Sequence, residues 1–181
     1  MKKVLYGVVG VIIAIFLIGT FAGGDSGSKS NSESAKTENA NANESNNYAS
    51  VGETVKDDYF EVTVNSVEVV NSKKISDFEE LKAEKDTKYL IINVTFKNTD
   101  KESRMVVDGS VFINYNGTEY EYDHTETILE DGWGLFLDQL NPLTAKTTNI
   151  VYKIPAEITG DVIYKPGRGS SEFYLGAIKW K

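Results

Sequence analysis

Lys88–Lys97 reads KYLIINVTFK, and this stretch decides the fold. Leu90, Ile92, Val94 and Phe96 alternate with Asn93, Thr95 and Lys97. Successive side chains of an extended chain leave on opposite faces, so the first set marks a core-facing side and the second a polar side. Tyr89 and Ile91 make the second side apolar at its start, which predicts a central strand covered on both faces there.

The segments around it repeat the pattern. In Tyr59–Val70 (YFEVTVNSVEVV), Phe60, Val62 and Val64 share a face, and after a one-residue slip Val67 and Val69 continue it. That slip predicts a β-bulge near Asn65-Ser66. Phe112–Tyr115, Asn116-Gly117 and Thr118–Tyr122 form a hairpin pattern, because a type I′ turn needs positive φ twice and Asn-Gly adopts it at little cost. Thr147–Ile154 and Glu172–Trp180 read as strands, and Met105–Val107 and Val162–Tyr164 as short ones. Ser76 with Glu79 has capping-box spacing, so one or two helical turns are expected within Ser76–Asp86. Gly132 and Gly134 flank Trp133 and oppose a regular helix, so Ile128–Leu140 reads as an irregular loop leading into a short strand at Leu135–Leu140. About seven short strands and little helix predict an all-β, immunoglobulin-like sandwich. The chain has no Cys, so the sandwich must hold by its core alone.

The sequence divides into three parts. Lys2 and Lys3 precede an uncharged, apolar run from Val4 to Ala22. Its 19 residues would span about 28 Å as a helix, close to the ~30 Å hydrocarbon core. Residues 1–22 therefore read as a signal anchor with the lysines cytoplasmic and the C-terminal part outside. A cleaved signal peptide ending near Ala22-Gly23-Gly24 is the alternative and would give a secreted protein. Residues 23–50 are polar and of low complexity, so a disordered linker is expected, about 30 Å end to end as a flexible coil. Residues 51–181 are the expected sandwich domain. The net charge is −8; the two leader lysines cancel the surplus of two acids in 23–50, so the domain carries all of it. An acidic domain speaks against nucleic acid and against electrostatic docking on anionic lipid.

Four segments resemble a known family, the exported bacterial domains filed as domain of unknown function 4352. Val51-Gly52-Glu53-Thr54-Val55 is similar to its opening turn, and Tyr89–Asn98 with Thr99 to its central strand ending in Asn-Thr. Asn116-Gly117 with Tyr120 resembles its hairpin, and Leu140-Asn141-Pro142 leading to Ile150–Pro155 its Leu-x-Pro segment. Leu143 stands where a Gly usually follows that first Pro. The resemblance spans Val51–Pro166. It implies a fold like that of the secreted immunoprotective antigens of actinobacteria and an exported location; no activity or site residue comes with it.

Few groups suit catalysis. His124 is the single histidine and no Gly-x-Ser-x-Gly occurs, so no catalytic, cofactor-binding or metal-binding residue is assigned. Asp57-Asp58, Glu119/Glu121/Asp123 and Glu130-Asp131 are the acidic clusters; they leave open a calcium site or, as the alternative function, a carboxylate-dependent hydrolase. The expected function is a non-catalytic extracytoplasmic module bound to the membrane through its N-terminal segment, recognising a protein or glycan. Tyr115, Tyr120, Tyr122 and Trp133 are the expected interaction surface, since such rings supply contact area at small entropic cost.

Overall fold

The computed structural model describes residues 47–135 and 137–179. The leader and most of the linker, with Phe136, Trp180 and Lys181, lie outside them. The strands in chain order are β1 (Ala49–Ser50), β2 (Thr54–Asp57), β3 (Phe60–Val70), β4 (Ser72–Lys74), β5 (Glu80–Lys82), β6 (Thr87–Asn98), β7 (Arg104–Met105), β8 (Ser110–Tyr115), β9 (Thr118–Tyr122), β10 (Gln139–Leu140), β11 (Ala145–Pro155), β12 (Gly160–Lys165) and β13 (Phe173–Ile178). They build two main sheets, β11-β6-β3-β2 and β1-β13-β12-β8-β9, plus the small pairs β4-β5 and β10-β7. The result is an all-β sandwich. β6 sits between β3 and β11, directly after β3 in its sheet, whereas constant-type immunoglobulin domains send their third strand to the opposite sheet.

The face assignment of β6 holds. Leu90, Ile92, Val94 and Phe96 are buried in the main core with Phe60, Val62, Val64, Ile150, Tyr152, Val162, Tyr164 and Phe173. The register between β3 and β6 shifts between Val64 and Ser66, so Asn65 is the bulged residue. The bulge lets Val67, like Phe60, Val62 and Val64 before it, turn toward the core, while Val69, expected on the same face, is left 39% exposed past the end of the facing sheet's cover. Tyr89 and Ile91 join Val151 and Ile128 in a second apolar cluster on the outer face of the same sheet.

Three expectations are corrected. Ser76–Asp86 contains no helical turn: β5 pairs antiparallel with β4, and Leu81 packs against the second cluster. The capping-box spacing is overridden because strand pairing buries Leu81, while Phe78, its expected helical neighbour, is left in solvent at the tip. Among the described residues of Leu135–Leu140, only Gln139–Leu140 is strand. The segment before it instead follows β11, with bridges Thr125–Tyr152 and Trp133–Asn149. The linker expected through Ser50 ends earlier, since Ala49–Ser50 pair in parallel with Phe173–Tyr174 and Ala49 is buried. Two residues are too few to show a period.

Asn141-Pro142-Leu143-Thr144 closes on a Thr144 N–H to Asn141 carbonyl bond of 3.1 Å. Leu143 has φ of 62°, the left-handed value that this turn requires after its Pro and that Gly adopts freely. The turn geometry survives with a leucine forced into it.

The two sheets are tied at Asp108. Its backbone carbonyl accepts from the Tyr152 hydroxyl at 2.9 Å and from the Tyr164 hydroxyl at 2.8 Å. Burial pushes both phenols well above their ordinary pKa, with smaller contributions from the nearby Asp108. A pKa raised by folding gives stability that is complete below the unfolded value, about 10, and is lost as pH climbs toward the folded one. We expect the melting temperature to fall above pH ~10, with the phenolate absorbance of these two tyrosines appearing only on unfolding. One smooth titration of every tyrosine at constant stability would contradict this.

Candidate binding surface

The type I′ turn predicted for β8–β9 is present, with φ of 53° at Asn116 and 78° at Gly117. Register places Tyr120 opposite Ile113 and Tyr122 opposite Val111, so both tyrosines lie on the core-facing side of an edge strand. The Tyr115 and Tyr120 rings are 6.4 Å apart and tilted by 52°. Tyr115 and Tyr122 are half-buried against the main core, while Tyr120 keeps 44% of its surface exposed. Burial raises the Tyr122 pKa. These three rings come together. Trp133 does not join them: its loop follows β11 in the other sheet, and its ring packs on the second cluster.

Next to Trp133 lies a surface of a different kind. On the outer face of the four-stranded sheet, Thr54, Thr63, Thr95 and Thr147 stand in one row across all four strands. Thr54 and Thr63 share a hydroxyl bond of 2.6 Å, and Thr95 and Thr147 one of 2.7 Å. A second row is made of amides. Asn65 donates to Asn93 at 2.8 Å and to Thr95 at 2.9 Å, Asn93 to Asn149 at 2.8 Å, and Asn149 to the Gly132 carbonyl at 3.0 Å. The bulge supplies Asn65 to this chain. Linked amides and hydroxyls polarise and orient one another, so their remaining lone pairs and protons are held in place. One border of the face is the Glu61–Lys97 ion pair; the other is Trp133 over Ile91 and Val151. The two rows carry no formal charge on an acidic chain. Asn93 and Thr95 are legible as outward-facing, but their partners come from β3 and β11, and only the register assembles them.

The acidic clusters separate. Asp57 is buried, and its carboxylate accepts the N–H groups of Gly169 at 2.9 Å and Ser171 at 3.0 Å, clamping that loop to the end of β2. Glu119, Glu121 and Asp123 are exposed along β9 and just after it, and Glu130 and Asp131 are exposed on the Trp133 loop. His124 stands in solvent, its Nδ1 3.6 Å from Asp123. Among the described residues no three His, Cys, Asp or Glu side chains converge on a metal-sized site. A concavity of 590 Å³ opens between the sheets at the far end of β3, walled by Val67, Val69, Leu90, Val162 and Leu175. Glu68 is the one carboxylate among the described residues of its wall, and it pairs with Lys73. Lys88, also in its wall, donates to the Ala156 and Ile158 carbonyls, and burial lowers its pKa.

The family described as Domain of unknown function (DUF4352) matches residues 49–172. The chain belongs to this family. The DUF4352 match starts at the first residue of β1, in keeping with Ala49 as part of the folded domain. The Asn-Thr step closes the end of β6 onto its neighbours. Buried Asn98 donates to the Glu102 and Leu140 carbonyls, both at 2.8 Å, and the Thr99 hydroxyl donates to the Tyr59 carbonyl at 2.9 Å. Two solved structures share the sandwich. An uncharacterized β-sandwich protein from Clostridium difficile 630 is 18% identical with a TM-score of 0.51, covering 71% of this chain and 95% of its own. A conserved hypothetical protein from Bacillus anthracis is also 18% identical at 0.51, covering 70% and 94%. No curated protein matches the chain.

Proposed function

We propose that the domain is a non-catalytic binding module, displayed outside a bacterial cell membrane on the N-terminal apolar segment, that recognises an envelope protein or glycan. The observation that carries this is the uncharged hydroxyl and amide face bordered by Trp133. Such a face offers oriented donors and acceptors with an aromatic wall at one side, the composition suited to a polar, uncharged ligand. The spread of the carboxylates supports the same reading. Two-carboxylate hydrolysis needs a pair about 5–9.5 Å apart across a cleft, and among the described residues the inter-sheet concavity has a single, ion-paired one.

Capture tests it. The full chain in a non-ionic detergent should retain a component of native cell envelope. Thr95→Lys and Thr147→Glu, each placing a charge on the face, should lower capture at least tenfold while the domain still melts cooperatively. Equal capture by wild type and both variants would move the binding surface elsewhere.

A further inference from the structure

Leu137 and Leu143 combine two costs. Both have left-handed backbones, with φ of 59° and 62°, and both side chains are solvent-exposed at 79% and 77%. A bulky residue at positive φ is strained, and an exposed leucine gains nothing in return. A contact outside the folded domain would supply what is missing.

Their position says what that contact is. Leu143 donates its N–H to the Asn98 carbonyl, and Thr99 donates to Tyr59 at the β2–β3 turn. That turn adjoins Asp57, which holds the Gly169–Ser171 loop, and Ala49 donates to Glu172 just beyond. Leu137 is placed by its neighbour Asp138, which accepts from the Val106 N–H and from Lys146 at the start of β11, so both leucines lie at the end of the sandwich at which the chain enters the domain. The sequence upstream of that entry holds the polar linker and the apolar run 4–22. Charge does not oppose this: Lys56, Lys101, Arg104 and Arg168 stand against Asp57, Asp58, Asp100 and Glu102 at this end, while the β9 acids lie elsewhere. Met105, 37% exposed, extends the apolar surface, and beside it the Arg104 guanidinium lies 4.0 Å over the Tyr59 ring.

We propose that this end of the sandwich contacts the lipid bilayer, with Leu137 and Leu143 inserted at the headgroup level. The contact rests on reading run 4–22 as an uncleaved anchor. It can be weak, because a tethered domain meets its own membrane at an effective concentration set by the linker. β3, with 11 residues, places the opposite end roughly 35 Å away, where Phe78 is exposed without backbone strain.

The chain has no cysteine, so single labels are unambiguous. A polarity-sensitive fluorophore on Leu143→Cys and, separately, on Phe78→Cys would be followed in the full chain reconstituted in vesicles of equal phosphatidylcholine and phosphatidylglycerol. The label at 143 should shift to the blue and be quenched by headgroup-level nitroxide lipids, and the label at 78 should do neither. Adding Leu137→Asn, which suits positive φ, should at least halve the quenching at 143. A chain that floats with vesicles while both labels stay aqueous, or both quench alike, overturns the contact and leaves the anchor standing. A chain that does not float overturns the anchor reading and the contact with it.

Discussion

Phe96→Ala should lower the stability of the domain by about 3–5 kcal/mol, a large share of the ~5–15 kcal/mol that holds a typical domain together. The ring is 2% exposed and meets Phe60 edge to face, with centroids 6.2 Å apart at 81°. Its truncation leaves a cavity between two sheets that cannot collapse without dragging β6 away from β3 and β11. The neighbouring substitution is the control. Thr95→Ala gives up hydroxyl contacts to Thr147 and Asn65 at a half-exposed position, which costs below ~1.5 kcal/mol. Urea titration should show the Phe96→Ala midpoint far below that of Thr95→Ala with similar slopes. The opposite order would mean that the faces of β6 are exchanged.

Gly109→Ala should be comparably damaging for a different reason. Gly109 has φ of 77°, and an added Cβ would lie 2.1 Å from the Lys165 carbonyl oxygen and 3.0 Å from Pro166 backbone atoms. The obstacle is backbone, so no rotamer change relieves it. Gly109 also follows Asp108, whose carbonyl receives both tyrosine hydroxyls, and moving one strains the other. Gly132→Ala isolates the conformational part: φ is 82°, but nothing lies within 4 Å of the new Cβ. It should cost only the ~1–2 kcal/mol of a left-handed backbone, with Gly109→Ala well beyond that in the same thermal melts. Equal losses would show that the loop at 108–109 adapts and that the Lys165 contact is soft.

Period-2 patterns depend on local sequence alone, and that is why the strands around Phe60, Leu90 and Ile150, the bulge at Asn65 and the Asn116-Gly117 turn are legible in the sequence. The family likewise follows from short local patterns, such as the Asn98-Thr99 step. Ser76–Lys82 misleads because a capping box is worth little beside the burial of Leu81 against another part of the chain. β1 escapes a local reading because two residues acquire strand geometry only by pairing with Phe173 and Tyr174, more than a hundred positions away. The binding surface shows the same division. The tyrosine hairpin can be placed from its turn, but which rings meet depends on pairing across β8 and β9, and Trp133 goes to the opposite sheet because its loop bonds to Asn149. The hydroxyl and amide rows have no signature in any single segment. Four threonines from four strands become neighbours only once register is set, and register is settled by burying Leu90, Ile92, Val94 and Phe96 on the other face of the sheet.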